Sequence, residues 1–308
     1  MPNYAQDPRI VMTLDAGGTN FVFSAMQANR AAVESFALPS NADNLERSLA
    51  TLVEGFRRVQ QACPQPPVAI SFAFPAPADY FNGIIVGPRN LPAYKDVALS
   101  AFLEDQFHLP VFINNDGDLF AYGEGASGFL PYVNHLLEEA GSPKRYRNLL
   151  GITLGTGFGG GIVRGGELFT GDNSVAGEVW LLRHKLERDI NAEEGASIRA
   201  VRRVYAAQAG LNLADAPEPK LIYEIAEGRA PGNQPAAREA FRRMGEVAGD
   251  AISEAITLLD GLVVIDGSFV DPAGQELADD VVPRHGAPFR DQRPQEGRET
   301  VHHGLGEI

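Results

Sequence analysis

Ile10-Val11-Met12-Thr13-Leu14-Asp15-Ala16-Gly17-Gly18-Thr19-Asn20-Phe21-Val22-Phe23-Ser24-Ala25-Met26 reads as two apolar strand runs joined by a glycine-bearing turn. Residues 10–14 and 21–26 have the length and side chains of buried strands, and residues 15–20 separate them. The pattern returns at 149–163, as a strand over 149–154, a glycine turn over 155–161 and a strand over 162–163. Each half of the chain thus opens with a similar hairpin, which predicts two like domains facing each other.

Outward from the hairpins, strand and helix patterns alternate, and that argues an α/β architecture. Residues 43–62 predict a helix with Leu45, Leu49, Leu52, Val53, Phe56 and Val59 on one face, capped from Ser40, Asn41 or Asp43 and ended by Pro64. Residues 68–74, 111–113 and 262–265 predict short buried strands. Residues 126–148 read as a polar, helix-forming excursion between domains. Residues 236–259 predict a long helix with Phe241, Met244, Val247, Ala248, Ile252, Ala255, Ile256 and Leu259 inward. The expected division is 1–125, 126–270 and an atypical tail, 271–308, whose 38 residues hold seven Leu, Ile, Val or Phe, too few for a core.

The chain has 308 residues, enough for two cores, and its 44% hydrophobic residues exclude wholesale disorder. Twenty-six Lys and Arg against 40 Asp and Glu give a net charge of −14. A surface of that sign repels phosphate backbones and anionic lipid, so neither nucleic acid nor a membrane is an expected partner. A lone cysteine, Cys63, makes no internal disulfide and no cysteine cluster for zinc. The first residues lack the layout of a signal peptide and no apolar run approaches a membrane span, which gives a cytoplasmic expectation.

Three segments can carry chemistry. Asp15-Ala16-Gly17-Gly18-Thr19-Asn20 sets a carboxylate, two glycines and a hydroxyl at a strand end. Such a loop suits a phosphate and its Mg²⁺, although a plain tight hairpin uses Gly-Gly equally well. Gly155-Thr156-Gly157-Phe158-Gly159-Gly160-Gly161 has five glycines in seven positions, an entropic penalty that calls for close backbone approach to something. Its formal match to the dinucleotide fingerprint is weak, because a strand and a turn follow rather than a helix. Asn114-Asn115-Asp116-Gly117 follows a strand, where ligands of α/β proteins bind; it is also a ready Asx-turn.

Together these residues resemble the ROK sugar kinases (repressors, open reading frames, kinases) of the actin-like ATPase-domain superfamily. The first glycine segment is similar to the family's first phosphate motif and residues 154–161 to its second. Pro75-Ala76-Pro77-Ala78-Asp79 resembles its Pro-Gly-Pro-Val-Asp loop, Asn90-Leu91-Pro92 its sugar-contacting Asn-Leu-Pro, and Asn115-Asp116 the pair bearing its catalytic base. Ala176-Gly177-Glu178, and Glu193 followed by Ser197, match its sugar-binding glutamates.

The resemblance implies two actin-like (ribonuclease H-like) domains with a nucleotide and sugar cleft between them, and transfer of the γ-phosphoryl group of ATP to a hexose hydroxyl. Asp116 would be the general base, with Asn90, Asn115, Asp116, Glu178 and Glu193 holding the sugar. Asp15, Gly17, Gly18, Thr19, Asn20, Gly155, Thr156, Gly157 and Gly267 would hold the nucleotide, and Asp15 would position Mg²⁺ through water. A homodimer is also implied.

The chain departs from the family twice. Where many members have Ile-Gly-His after Ala-Gly-Glu, it has Val179-Trp180-Leu181, and the cysteine-rich zinc segment is missing. His184 and Cys63 do not replace that segment, so no zinc site is expected, and Trp180 is either part of an altered pocket or a core residue. Asp266-Gly267-Ser268-Phe269 stands where the family has Gly-Gly-Gly, and the resemblance stops near Val270. These departures motivate an alternative, a catalytically impaired sugar-binding or regulatory protein. A repressor is disfavoured by charge and by the nine residues before Ile10, and a nicotinamide-dependent oxidoreductase rests only on the weak fingerprint. His285, His302 and His303 in the tail, and Arg199, Arg202 and Arg203 on a helix, read as solvated residues.

Overall fold

Burial alternates along β1 (Val11–Ala16): Met12, Leu14 and Ala16 enter the core while Asp15 stays exposed near the strand's end. In this computed structural model, which describes residues 6–74, 78–87 and 91–267, β2 (Asn20–Gln27) runs antiparallel to β1 with Phe23 opposite Leu14. β3 (Arg30–Pro39), which the sequence pattern did not announce, adds to the outer side of β2. After α1 (Leu45–Ala62), β4 (Ala69–Ala73) returns parallel to β1 and pairs Ala73 with Asp15. A small antiparallel sheet of β5 (Ala78–Asp79), β6 (Ile84–Ile85) and β7 (Val97–Ala98) leads into α2 (Leu99–Phe107). β8 (Val111–Asn114) then lies parallel to β4, pairing Asn114 with Ala73. The sheet order is β3-β2-β1-β4-β8. Parallel pairing brings the carboxyl ends of β1, β4 and β8 to one edge, where ligand sites of α/β sheets form.

The chain next forms α3 (Asp116–Ala126) and α4 (Phe129–Glu139), then β9 (Leu149–Leu154), β10 (Phe158–Arg164) and β11 (Glu167–Leu168). α5 (Ile198–Ala209), α6 (Pro219–Ala226) and α7 (Gln234–Leu259) precede β12 (Leu262–Gly267), which pairs parallel to β9. The order β11-β10-β9-β12 repeats β3-β2-β1-β4, so the likeness of the two hairpins extends to four strands. The α/β expectation holds. Among the described residues no helix is long and apolar enough to cross a membrane.

Each sheet has its own apolar filling. Phe23, Phe56, Phe72 and Phe107 form a chain of ring contacts under the first sheet, with centroids of Phe23 and Phe56 5.3 Å apart. Leu150, Ile152 and Phe158 pack with Val247, Ala248 and Ala251 of α7 under the second.

Two local expectations need correction. α1 is capped by Asn44, whose side chain accepts the Arg47 N–H at 2.9 Å, and not by Ser40, Asn41 or Asp43. On α7, Ile256 is not inward but 38% exposed, because the helix buries small Ala residues and Val247 instead. Residues 126–148 contain the expected helix, α4, largely solvent-facing, which anchors itself by burying Leu130 with Ala121, Leu149 and Val163. The helix before it, α3, begins ten residues earlier than residue 126, at Asp116. The loop 75–77, Asn90 and the segment 268–308, with its three histidines, lie outside the described residues.

α3 lies directly on the second sheet. A Cβ placed on Gly161 would sit 2.7 Å from the Gly117 carbonyl oxygen and 2.8 Å from both Ala121 Cβ and Asp118 Cα. A Cβ on Gly160 would sit 2.8 Å from the Gly177 carbonyl oxygen. The glycine run therefore admits protein backbone from two sides, a use the phosphate reading did not foresee. Gly161→Ala should lower stability by about 1–3 kcal/mol, the usual penalty of overpacking. Urea unfolding measures this; an unchanged midpoint would show that α3 can lift off β10 freely.

Candidate active site

The first glycine turn is tight and braced. Gly17 N–H donates to the Asn20 carbonyl at 3.0 Å, and a Cβ on Gly17 would crowd that oxygen at 2.9 Å. Gly18, Thr19 and Asn20 are exposed beside Asp15. Ser40 holds the turn from beneath: its N–H donates to Thr19 O at 2.9 Å and its hydroxyl to Gly18 O at 2.6 Å. Buried Ser48 in turn donates its one hydroxyl proton to Ser40 O at 2.6 Å. The Tyr94 hydroxyl, 2.7 Å away, is then the donor to Ser48 Oγ. Burial pushes the Tyr94 phenol up to about 12, so it keeps its proton. The relay ties the Asp15–Asn20 turn to the short helical turn Pro92–Tyr94, just after Asn90-Leu91.

The carboxyl end of β8 feeds straight into α3. Asn115 caps the helix, its Oδ1 accepting N–H groups of Gly117 at 2.7 Å and Asp118 at 3.3 Å. Asp116 follows, exposed, with Oδ1 accepting the Gly117 N–H at 2.9 Å. The Asx-turn alternative and the functional one thus coexist: Asn115 makes the cap and leaves Asp116 facing outward.

Asp118, one helical residue beyond Gly117, was not singled out by the motifs. It is 6% exposed and its Oδ1 has no hydrogen-bond partner. The helix start favours its charged form by about 0.3–1 kcal/mol, whereas burying an uncompensated carboxylate costs several kcal/mol. Burial wins, and repulsion from Glu178 and Asp116 adds to it, so the Asp118 carboxyl is pushed up to about 7. The only hint in the sequence was the spacing Asn115 to Asp118, an N-cap and its third helical position.

Glu178 reaches the same space from the other side, after Gly177, whose φ of +87° only glycine adopts easily. Burial raises the Glu178 carboxyl, a hydrogen bond from the Trp180 indole N–H lowers it, and Asp116 and Glu193 raise it again. Trp180 packs against the second core, as the core reading expects, and its indole N–H bonds Glu178. Tyr80 completes the cluster: burial first, then Asp116, Glu178 and Asp118, hold its phenol above the ordinary range.

The second glycine turn is fastened by α5 and the short turn before it. Gly155 N–H donates to Gly157 O at 3.0 Å, and Ile198 N–H donates to Gly155 O at 2.9 Å. Glu193 accepts the Phe158 N–H at 3.2 Å and an Arg199 N–H at 2.8 Å, while Arg199 also donates to Thr156 O at 3.3 Å. A Cβ on Gly157 would lie 2.7 Å from Glu193 Oε2. Gly267 pairs with Leu154 in parallel register, which brings its backbone beside this turn. The solvated reading of the arginines holds for exposed Arg199, although it is paired with Glu193 and Glu194, and fails for half-buried Arg202 and Arg203. Arg202 donates to Ala216 O at 2.9 Å and Arg203 to Glu194 O at 2.6 Å, because carbonyls at helix and loop ends need donors.

Leu181 is 55% exposed, and His184 is buried with Nδ1 accepting N–H groups of Leu186 at 3.2 Å and Glu187 at 3.0 Å. Among the described residues no group of three or more His, Cys, Asp or Glu side chains is arranged to hold a metal ion.

The profile of the ROK family matches residues 11–279. A glucokinase of known structure from Parabacteroides distasonis is 55% identical, covering 90% of this chain and 79% of that one, with a TM-score of 0.81. An N-acetyl-D-glucosamine kinase of Vibrio cholerae is 33% identical over 171 residues, 55% of this chain and 51% of its own length. The chain thus spans about half the length of that curated relative. A ROK family glucokinase from Streptomyces griseus, solved with glucose and AMPPNP, shares the fold at a TM-score of 0.60 and 20% identity, covering 92% of each chain.

Trp180→Phe removes the donor that favours the charged form of Glu178. The Glu178 titration midpoint should move further up, because this bond opposes the upward push of burial. Carboxyl carbon NMR reads this, and a midpoint that stays or falls would show that the indole does not govern Glu178.

Proposed function

The chain belongs to the ROK family, and on that premise we propose that it transfers the γ-phosphoryl group of ATP to a hydroxyl of a hexose or N-acetylhexosamine, with Asp116 as general base. The observation that carries the reading is one edge of structure. The parallel strands β1 and β8, joined through β4, end in Asp15 and in Asn115-Asp116, and α3 carries Asp116 onto the sheet that bears the second glycine turn.

The residues suit their roles on chemical grounds. Asp116 is an exposed carboxylate at the start of a helix, able to accept a hydroxyl proton from a sugar within hydrogen-bond reach. Glu178, aimed by Trp180, offers acceptors for neighbouring hydroxyls, and Asn90 and Asn115 are the proposed amide partners. Both Glu193 oxygens already brace the second turn, but each carboxylate oxygen accepts more than one bond, so a sugar contact remains compatible.

The turn of Gly17, Gly18, Thr19 and Asn20, exposed from Gly18 onward, and the turn of Gly155, Thr156 and Gly157 would hold the phosphates, and Gly267 would back the nucleotide. Asp15, an exposed hard-oxygen donor, fits Mg²⁺ held through water. When bound, the metal neutralises charge that develops on the phosphoryl oxygens. We also propose that 1–125 and 126–270 act as two actin-like lobes whose closure excludes water.

Asp116→Asn should cut sugar-dependent ADP release by a factor on the order of 10²–10⁴ while leaving the melting temperature within a few degrees of wild type. The panel should hold glucose, other hexoses, N-acetylglucosamine and N-acetylmannosamine. Wild-type protein that turns over none of them, or a mutant that keeps full activity, would sink the assignment.

A further inference from the structure

Three carboxyl groups and a phenol meet where α3 begins: Asp116 and Asp118 on the helix, Glu178 from the loop after Gly177, and Tyr80 from the turn after β5. β10, packed against the same helical turn, brings only Gly160 and Gly161, with no side chain to offer. Among the described residues no cation is among the groups that act on Asp118, so no paired positive charge there offsets its ionisation.

Asp118 is the member with the least access to water, at 6% exposure, and the one with an oxygen that nothing hydrogen-bonds. A carboxylate oxygen in that position would lack both water and a donor. A neutral carboxylic acid loses far less by burial, because its charge is gone and its remaining acceptor is weak.

We propose that Asp118 is the neutral member of a three-carboxyl site: it carries a proton that spares Asp116 and Glu178 a buried negative charge beside them, and its release of that proton weakens binding of the anionic phosphoryl donor. The proposal rests on the kinase reading for its second half. When Asp118 ionises the site gains a further negative charge, facing a polyanionic nucleotide across a partly desolvated space. The burial that raises Asp118 places this change close to neutrality, and an anionic ligand in the site favours the protonated form in return, as linkage requires.

Two measurements on the full chain test the two halves separately. Carboxyl carbon NMR of the wild-type protein, with Asp118 assigned through its backbone, should show that group titrating near neutrality; a midpoint below about 5, in the ordinary carboxylate range, overturns the proposal. This readout needs neither a variant nor activity, so it decides the charge state even if no sugar on the panel is turned over and the kinase reading itself fails. If turnover is found, KM for Mg-ATP in the wild type should rise severalfold between pH 6 and pH 8. In Asp118→Asn, an isosteric side chain that never ionises, KM should stay flat across that range while kcat keeps its own pH profile. A KM rise that persists unchanged in Asp118→Asn would overturn the second half, since a merely structural role for Asp118 predicts no change in that slope.

Discussion

Backbone laid on backbone at Gly160 and Gly161 is the constraint from which the rest of this molecule follows. The first turn of α3 approaches β10 from one side and Gly177 from another, at separations that leave no room for a Cβ. Close-packed interiors transmit such contacts without slack. Because α3 starts at the end of β8 in the first sheet, seating it on β10 fixes the first sheet's carboxyl edge against the second sheet. Because Gly177 uses the same surface, Glu178 arrives beside Asp116 and Asp118.

That geometry forces an electrostatic problem. Carboxyl groups brought together in a half-buried space repel, and here the repulsion adds to desolvation rather than opposing it. The structure answers unevenly. Glu178 receives the Trp180 indole N–H, Glu193 receives Arg199 and a backbone N–H, Asp116 receives a backbone N–H and solvent, and Asp118 receives burial. Burial and neighbouring carboxyls thereby raise the proton affinity of Asp118 and Glu178.

The glycine turns share a second device. Neither is a free loop: Ser40, Ser48 and Tyr94 hold the first through buried hydroxyls, and Glu193 with Arg199 holds the second through charge. Glycine loops that were merely flexible would lose their shape to conformational entropy. Bracing by side chains from α1, Pro92–Tyr94 and α5 presets them, so that ordering is complete before any ligand arrives.

Local pattern was enough for the hairpins 10–26 and 149–163, the helix from Leu45, the strands ending at Asn114 and Gly267, and the α/β class, because apolar periodicity and turn residues act over a few neighbours. The motifs also singled out Asp15, Asn115 and Asp116, and the family resemblance singled out Glu178 and Glu193. They could not show that Gly160 and Gly161 accommodate a helix rather than an anion, since a glycine records close approach but not what approaches. Nor could they show that Asp118 is buried, that Arg199 grips Glu193, or that Trp180 bonds Glu178. Those facts depend on which surfaces the two sheets bury against each other. Burial and through-space charge are properties of packed neighbours far apart in the chain, and only the tertiary structure decides them.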